Sequence, residues 1–123
     1  MCEKLKEKGA ESMSAFDEES IRQDIQDIVE RLVAALSPIR IYLFGSYAQN
    51  TYTDHSDYDF YILCPDDAGD AIALSQRGYR ALSGKRKKPV DIVIGFDSKF
   101  KERSMLPTIE KEVLKEGVLL YAK

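Results

Sequence analysis

Two aspartates, Asp57 and Asp59, stand at and within the apolar run "SDYDFYILC", and a third, Asp91, interrupts "PVDIVIGF" in the same manner. An unpaired carboxylate costs several kcal/mol to bury, so a strand that carries acids at such positions must gain an interaction by it. Residues two apart in a strand share a face. Asp57 and Asp59 are therefore expected to present neighbouring carboxylates, with Tyr58, Phe60 and Ile62 on the other side. Two carboxylates this close repel one another and raise a pKa unless a divalent cation neutralises them. Hard oxygen ligands favour Mg²⁺ or Mn²⁺ over zinc, and Mg²⁺ usually takes one or two protein carboxylates together with substrate phosphate oxygens. A phosphate-bearing substrate is implied.

Gly45 and Ser46, which end the run "IRIYLF", supply the complementary element. A residue without a side chain lets phosphate approach the backbone, N–H groups at a following helix start face an anion, and the serine hydroxyl adds a hydrogen bond. Each feature alone is weak. A glycine after a strand usually just makes a turn, and a lone strand aspartate such as Asp91 is as often a solvated edge residue as a ligand. If the strand of Asp91 lies beside that of Asp57 and Asp59, three carboxylates converge. With two metal ions and a triphosphate they form a site for in-line nucleotidyl transfer.

The elements that must position these residues follow from periodicity. Ile21, Ile25, Ile28, Val29, Leu32, Val33 and Leu36 recur at helical spacing behind an Asp17 cap, and Ser37-Pro38 closes the segment. The runs 39–44, 56–64, 89–96 and 118–121 read as strands, and "SYAQN" as one or two helical turns capped by Ser46. Helices are expected over 66–83 and 106–116, the second stopped by Gly117, with "KFKERS" as a polar loop. Strands separated by helices predict an α/β layered domain with a largely buried sheet.

The 123-residue chain has the length of one domain, and its 44% hydrophobic and 32% charged content is that of a soluble globular protein. No apolar run approaches a membrane span, and the mixed charges from Glu3 to Lys8 leave no room for a secretory signal. A cytoplasmic location is expected. Cys2 and Cys64 lack metal-ligand spacing and read as free thiols. The net charge of −3 argues against bulk nucleic-acid binding; the acidic excess sits in residues 1–36 (net −4), and residues 37–123 are nearly neutral (net +1).

"GS" followed by "DYD", with a third aspartate in a later strand, resembles the signature of the polymerase-β-like nucleotidyltransferases. The small size resembles the minimal nucleotidyltransferase branch, often the antitoxin partner of a HEPN-domain ribonuclease toxin. The likeness runs from Ile39 to Tyr121 and includes "IEKEVLKEGVLLY". It implies an α/β fold with a mixed sheet flanked by helices and a nucleotidyltransferase domain over 16–123, behind residues 1–15, which lack periodicity, contain Gly9, Ser12 and Ser14 and read as a tail. It further implies that Gly45 and Ser46 hold the nucleotide phosphates and that Asp57 and Asp59 bind two Mg²⁺ ions (or Mn²⁺). Asp91 would bind the catalytic ion and help deprotonate the acceptor. ATP would be the substrate and a tyrosine of a HEPN toxin the acceptor of AMP. The family commonly reads Gly-Ser-x-Ala-Arg-Gly, whereas Gln49 and Asn50 stand here; asparagine tolerates a left-handed turn, but a positive charge is missing at 49. Alternative readings are transfer to a small molecule or an RNA end, and a non-catalytic antitoxin that masks its toxin sterically.

Other residues carry weaker signals. Lys85, Arg86, Lys87 and Lys88 read first as a solvated turn and second as a polyphosphate or RNA contact, and Arg77 and Arg80 share that ambiguity. His55 reads as an exposed loop residue near the acids. Tyr42, Tyr58 and Tyr61 read as packing; Tyr47, directly after Ser46, is the tyrosine placed to meet a base.

Overall fold

The structure, a computed structural model, describes residues 13–84 and 88–123, the first five by backbone alone. Helix α1, Met13–Leu36, is followed by strand β1, Arg40–Phe44, the single helical turn α2, Ser46–Gln49, and strand β2, Tyr58–Cys64. Helix α3, Ala71–Leu82, leads to strand β3, Val90–Phe96. Helices α4, Asp97–Arg103, and α5, Ile109–Glu116, precede the last strand, β4, Val118–Ala122.

The described residues form a mixed four-stranded sheet in the order β3-β2-β1-β4. β1 pairs antiparallel with both β2 and β4, and β2 pairs parallel with β3. The central β2 is buried almost throughout because helices cover both faces, which is why its sequence reads as a near-continuous apolar run. On one face Tyr58, Phe60, Ile62 and Cys64 meet Ile41, Leu43 and Ile92 under Ile28, Leu32 and Leu36 of α1 and Leu74 and Leu82 of α3. On the other, Tyr42, Tyr61 and Leu63 pack with Phe100 of α4 and Val113 of α5. The Cys64 thiol is free and buried, and burial pushes its pKa up to about 11, so it is an inert core residue. Cys2 lies outside the described residues.

Several boundaries differ from expectation. α1 begins at Met13 rather than Asp17, within the segment read as a tail, and the rest of that tail lies outside the described residues. Its end is as expected: Ser37 turns left-handed at φ 48° and Pro38 cannot continue the helix. α3 starts five residues later than expected, where the Asp70 carboxylate accepts the Ala73 N–H at 3.0 Å. α5 likewise starts after Thr108, whose hydroxyl accepts the Lys111 N–H.

The "KFKERS" segment is a correction, since it belongs largely to helix α4 rather than to a loop. Its one buried anchor, Phe100, stacks on Tyr42 and tilts against Tyr61, too little to show a period in the sequence. α4 also presents Arg103, whose Nε donates to Glu110 Oε1 at 2.9 Å. The Tyr61 hydroxyl donates to the other oxygen of that buried carboxylate at 2.8 Å. Tyr61 reaches Glu110 under Gly95, where any Cβ would collide with the phenol. Burial pushes the Glu110 carboxyl upward, but the Tyr61 and Arg103 hydrogen bonds outweigh it and hold the pKa below the ordinary carboxylate value. Among the described residues no helix is long and apolar enough to cross a membrane.

Candidate active site

The parallel pairing of β2 and β3 sets Asp59 directly opposite Asp91, so the strand adjacency assumed from sequence holds. Adjacent strands lie about 4.8 Å apart, and the two carboxylates emerge on the same face of the sheet. Asp57 stands one residue before β2, with Tyr58 between it and Asp59 on the opposite, core-facing side. Asp59 and Asp57 are partly buried and Asp91 is exposed, which places the acids at the open edge of the layer.

The electrostatics of Asp59 report this crowding. Its pKa is raised to about 6, first by burial, then by the charge of Asp91, then by Asp57, by a hydrogen bond with Asp91 and by Glu112 of α5. A carboxylate among like charges is unfavourable as an anion. It becomes favourable when a cation joins it.

Gly45 is shaped by this acid. Its φ of 77° and ψ of −152° suit a residue without a side chain, and any Cβ there would collide with the Asp59 carboxylate. The turn between β1 and α2 therefore lies against the acid pair, close enough for one ligand to touch both. α2 is only one turn long, and Gly45 rather than Ser46 is its cap, so the expected cap by the Ser46 side chain is not formed. Asn50 closes the turn at φ 61°, in the left-handed conformation asparagine tolerates, and its N–H bonds Ser46 O.

Gln49 does not hang free. Its Nε2 donates to Glu116 Oε1 at 2.9 Å, joining the last residue of α2 to the last residue of α5. Because Val118 of β4 pairs with Leu43 of β1, the end of α5 lies beside the Gly45 turn. Glu112 and Glu116, one helical turn apart, thus belong to the surroundings of the site. Within "IEKEVLKEGVLLY" the only trace of this is the i, i+4 spacing of the two glutamates, which sets them on one helix face.

The remaining candidates sort as follows. Tyr47 offers no platform to a base: it is buried, stacked on Tyr52 at 4.4 Å between centroids and tilted against Tyr58 at 4.7 Å. With Tyr58, whose hydroxyl donates to Asp24, it braces the core side of the turn. A cavity of about 250 Å³ beside Tyr47, Tyr52 and Tyr58 lies on this core side, across the sheet from the acids. His55 is exposed, and its N–H is held by Thr53 Oγ1. The Lys88 ammonium bonds the Asp54 carbonyl, while Lys85, Arg86 and Lys87 lie outside the described residues.

Among the described residues no three acidic, histidine or cysteine side chains are gathered as a ready ion cage. The donor set nevertheless fits a hard divalent cation, since Asp59 and Asp91 offer paired carboxylates, Asp57 stands beside them, and Mg²⁺ commonly completes its shell with water and substrate phosphate. Asp57, Asp59 and Asp91 are the residues that would hold it.

Comparison with known proteins agrees with this geometry. The family model described as polymerase beta, nucleotidyltransferase, matches residues 23–123. A solved structure of a proposed nucleotidyltransferase from Sulfolobus solfataricus superposes with a TM-score of 0.62 at 23% identity, covering 93% of this chain and 92% of that one, a likeness of fold. A toxin-antitoxin structure with AMP-PNP matches at TM-score 0.51 and 27% identity over 79% of this chain and 73% of that one. A mutant form of the toxin-antitoxin MntA-HpeT, with two aspartates two residues apart changed to glutamate, matches at TM-score 0.52 and 26% identity over 80% and 72%. Comparison with curated proteins finds no match. With the family model covering most of the chain and the acid pair set against a glycine turn, this protein belongs to the polymerase-β nucleotidyltransferase family.

Proposed function

We propose that the protein transfers AMP from ATP to a tyrosine hydroxyl of a HEPN-type toxin, with Mg²⁺, and so acts as its antitoxin. The observation that carries the reading is the register of Asp59 with Asp91 against the Gly45 turn. The likeness to a toxin-antitoxin solved with an ATP analogue, and to one altered at an Asp-x-Asp pair like Asp57 and Asp59, supports it.

In this mechanism the backbone of Gly45 and the hydroxyl of Ser46 hold the phosphates, and Asp57, Asp59 and Asp91 are the residues that would hold the cation. A cation bound there would supply charge neutralisation to the reacting phosphates. Asp91, the most exposed of the three, faces the incoming hydroxyl and receives its proton as the new O–P bond forms and the bond to pyrophosphate breaks. The partner toxin brings the acceptor on its own surface.

A second reading has one observation in its favour: position 49 carries no charge, and its amide is engaged by Glu116. On that reading the chain masks its toxin without chemistry. Incubation with labelled ATP, Mg²⁺ and the toxin decides. Label on the toxin that disappears with Asp57→Ala or Asp59→Ala is the expected result. Full neutralisation by those variants without label would establish masking instead.

A further inference from the structure

The missing positive charge at position 49 poses a question that α5 answers. Thr108, Lys111, Glu112, Lys115 and Glu116 line a recess of about 250 Å³ on that helix. One contact places it beside the Gly45 turn: Glu116, which lines it, accepts from Gln49, the last residue of α2. The recess therefore adjoins the turn, and its helix packs on the face of the sheet from which Asp59 and Asp91 emerge.

Its charges are not equivalent. The Glu116 carboxylate is engaged by the Gln49 amide. Lys111 and Lys115, one turn apart and exposed, have no ion-pair partner among the described residues. Two flexible ammonium groups beside a hydroxyl suit an anion bearing several oxygens, and the nearest one the site would hold is the polyphosphate chain. The helix that carries them is fixed, because Val113 is fully buried, Glu110 is bonded to Tyr61 and Arg103, and Glu116 is tied to Gln49.

We infer that Lys111 and Lys115 are phosphate-binding residues: they take the outer phosphates of the nucleotide and supply the charge that position 49 lacks. This inference rests on the nucleotidyltransferase reading above. It gives α5 a role in distinguishing triphosphate from monophosphate, since a nucleotide without outer phosphates would not reach the recess.

Calorimetric titration of the full chain with α,β-methylene-ATP and, separately, with AMP, both with Mg²⁺, tests it. The double variant Lys111→Ala/Lys115→Ala is expected to bind α,β-methylene-ATP about tenfold more weakly and AMP within about twofold of the unaltered protein. Lys111→Arg/Lys115→Arg should restore most of the loss, and Lys101→Ala on α4 should change neither. Unchanged triphosphate affinity in the double alanine variant, with Mg²⁺-dependent binding intact in the parent, overturns the inference and leaves the proposed reaction standing. Equal weakening of triphosphate and AMP also overturns it, because the effect would then not concern the outer phosphates. A parent that binds no nucleotide removes both.

Discussion

Asp59 and Glu110 lie on the same side of the sheet and meet opposite fates. Glu110 is the more buried, at 6% exposure, yet its pKa is lowered, because Tyr61 and Arg103 each direct a donor to one of its oxygens. Asp59 is less buried, yet its pKa rises to about 6, because its neighbours Asp91, Asp57 and Glu112 are also acids. Burial alone therefore does not distinguish a structural acid from a functional one; the sign of the surrounding charge does. Glu110 is complete within the chain, whereas the charges that raise the pKa of Asp59 are all acids.

The contrast is broken most severely by removing the unbalanced acid. If the proposed reaction is the protein's own, Asp59→Asn keeps the shape and should lower AMP transfer to the toxin by at least about a thousandfold, read as label incorporated per minute. Asp91→Asn should behave alike, whereas Glu110→Gln should retain transfer wherever it remains folded. Residual transfer above a tenth of the parent rate in Asp59→Asn would put the chemistry elsewhere.

Stability should run the other way. Glu110→Ala leaves Tyr61 without its acceptor and Arg103 without its partner. It should cost about 2 kcal/mol in denaturant unfolding, less than a fully buried pair because Arg103 is half exposed. Since the folded pKa of Glu110 lies below its ordinary value of 4.5, the folded state holds its proton less tightly than the unfolded state. This contribution is present above that ordinary value and is lost as pH falls through the lowered folded one. The parent should therefore lose stability relative to Glu110→Ala on acidification below about pH 4.5.

For Asp59 the sign reverses. Between the ordinary value of 3.8 and the raised one of about 6, the folded state binds more proton than the unfolded. Its contribution is complete below the lower value and disappears as pH rises through the upper one. Without divalent cation, Asp59→Asn should therefore be more stable than the parent at pH 7 by about 1 kcal/mol, a figure discounted for its partial exposure. The gain should vanish near pH 4. Equal stability at both values would show that the acid pair is not strained.

The smallest expected effect lies away from both acids. Ser37 adopts a left-handed conformation that L side chains rarely favour, and Ser37→Gly should stabilise by about 1 kcal/mol or less without altering transfer. A change in activity there would show that α1 is coupled to the site.

What the sequence displayed and what it hid follow the same physics. The acid pair, the third aspartate and the glycine turn were legible because each breaks an apolar pattern, and the strand runs were legible because β2 is buried on both faces. α4 was hidden because Phe100 is its single buried anchor, and one apolar residue has no period. Tyr47 was misread because adjacency to Ser46 says nothing about which way a ring points; it turned into the core against Tyr52 and Tyr58. The Gln49 bond to Glu116 spans 67 positions and leaves no local trace, so the surroundings that α5 adds to the site emerged only with the fold.

On the proposed function, the carboxylates of Asp59 and Asp91, repelling one another against the Gly45 turn, are neutralised by a divalent cation that carries the nucleotide. Calorimetry of Mn²⁺ with α,β-methylene-ATP, on the parent and on Asp59→Asn/Asp91→Asn, tests it most directly. Cation-dependent nucleotide binding in the parent and at least a tenfold loss in the double variant are expected, with its melting temperature no lower. Nucleotide binding that is indifferent both to Mn²⁺ and to the two substitutions would contradict it.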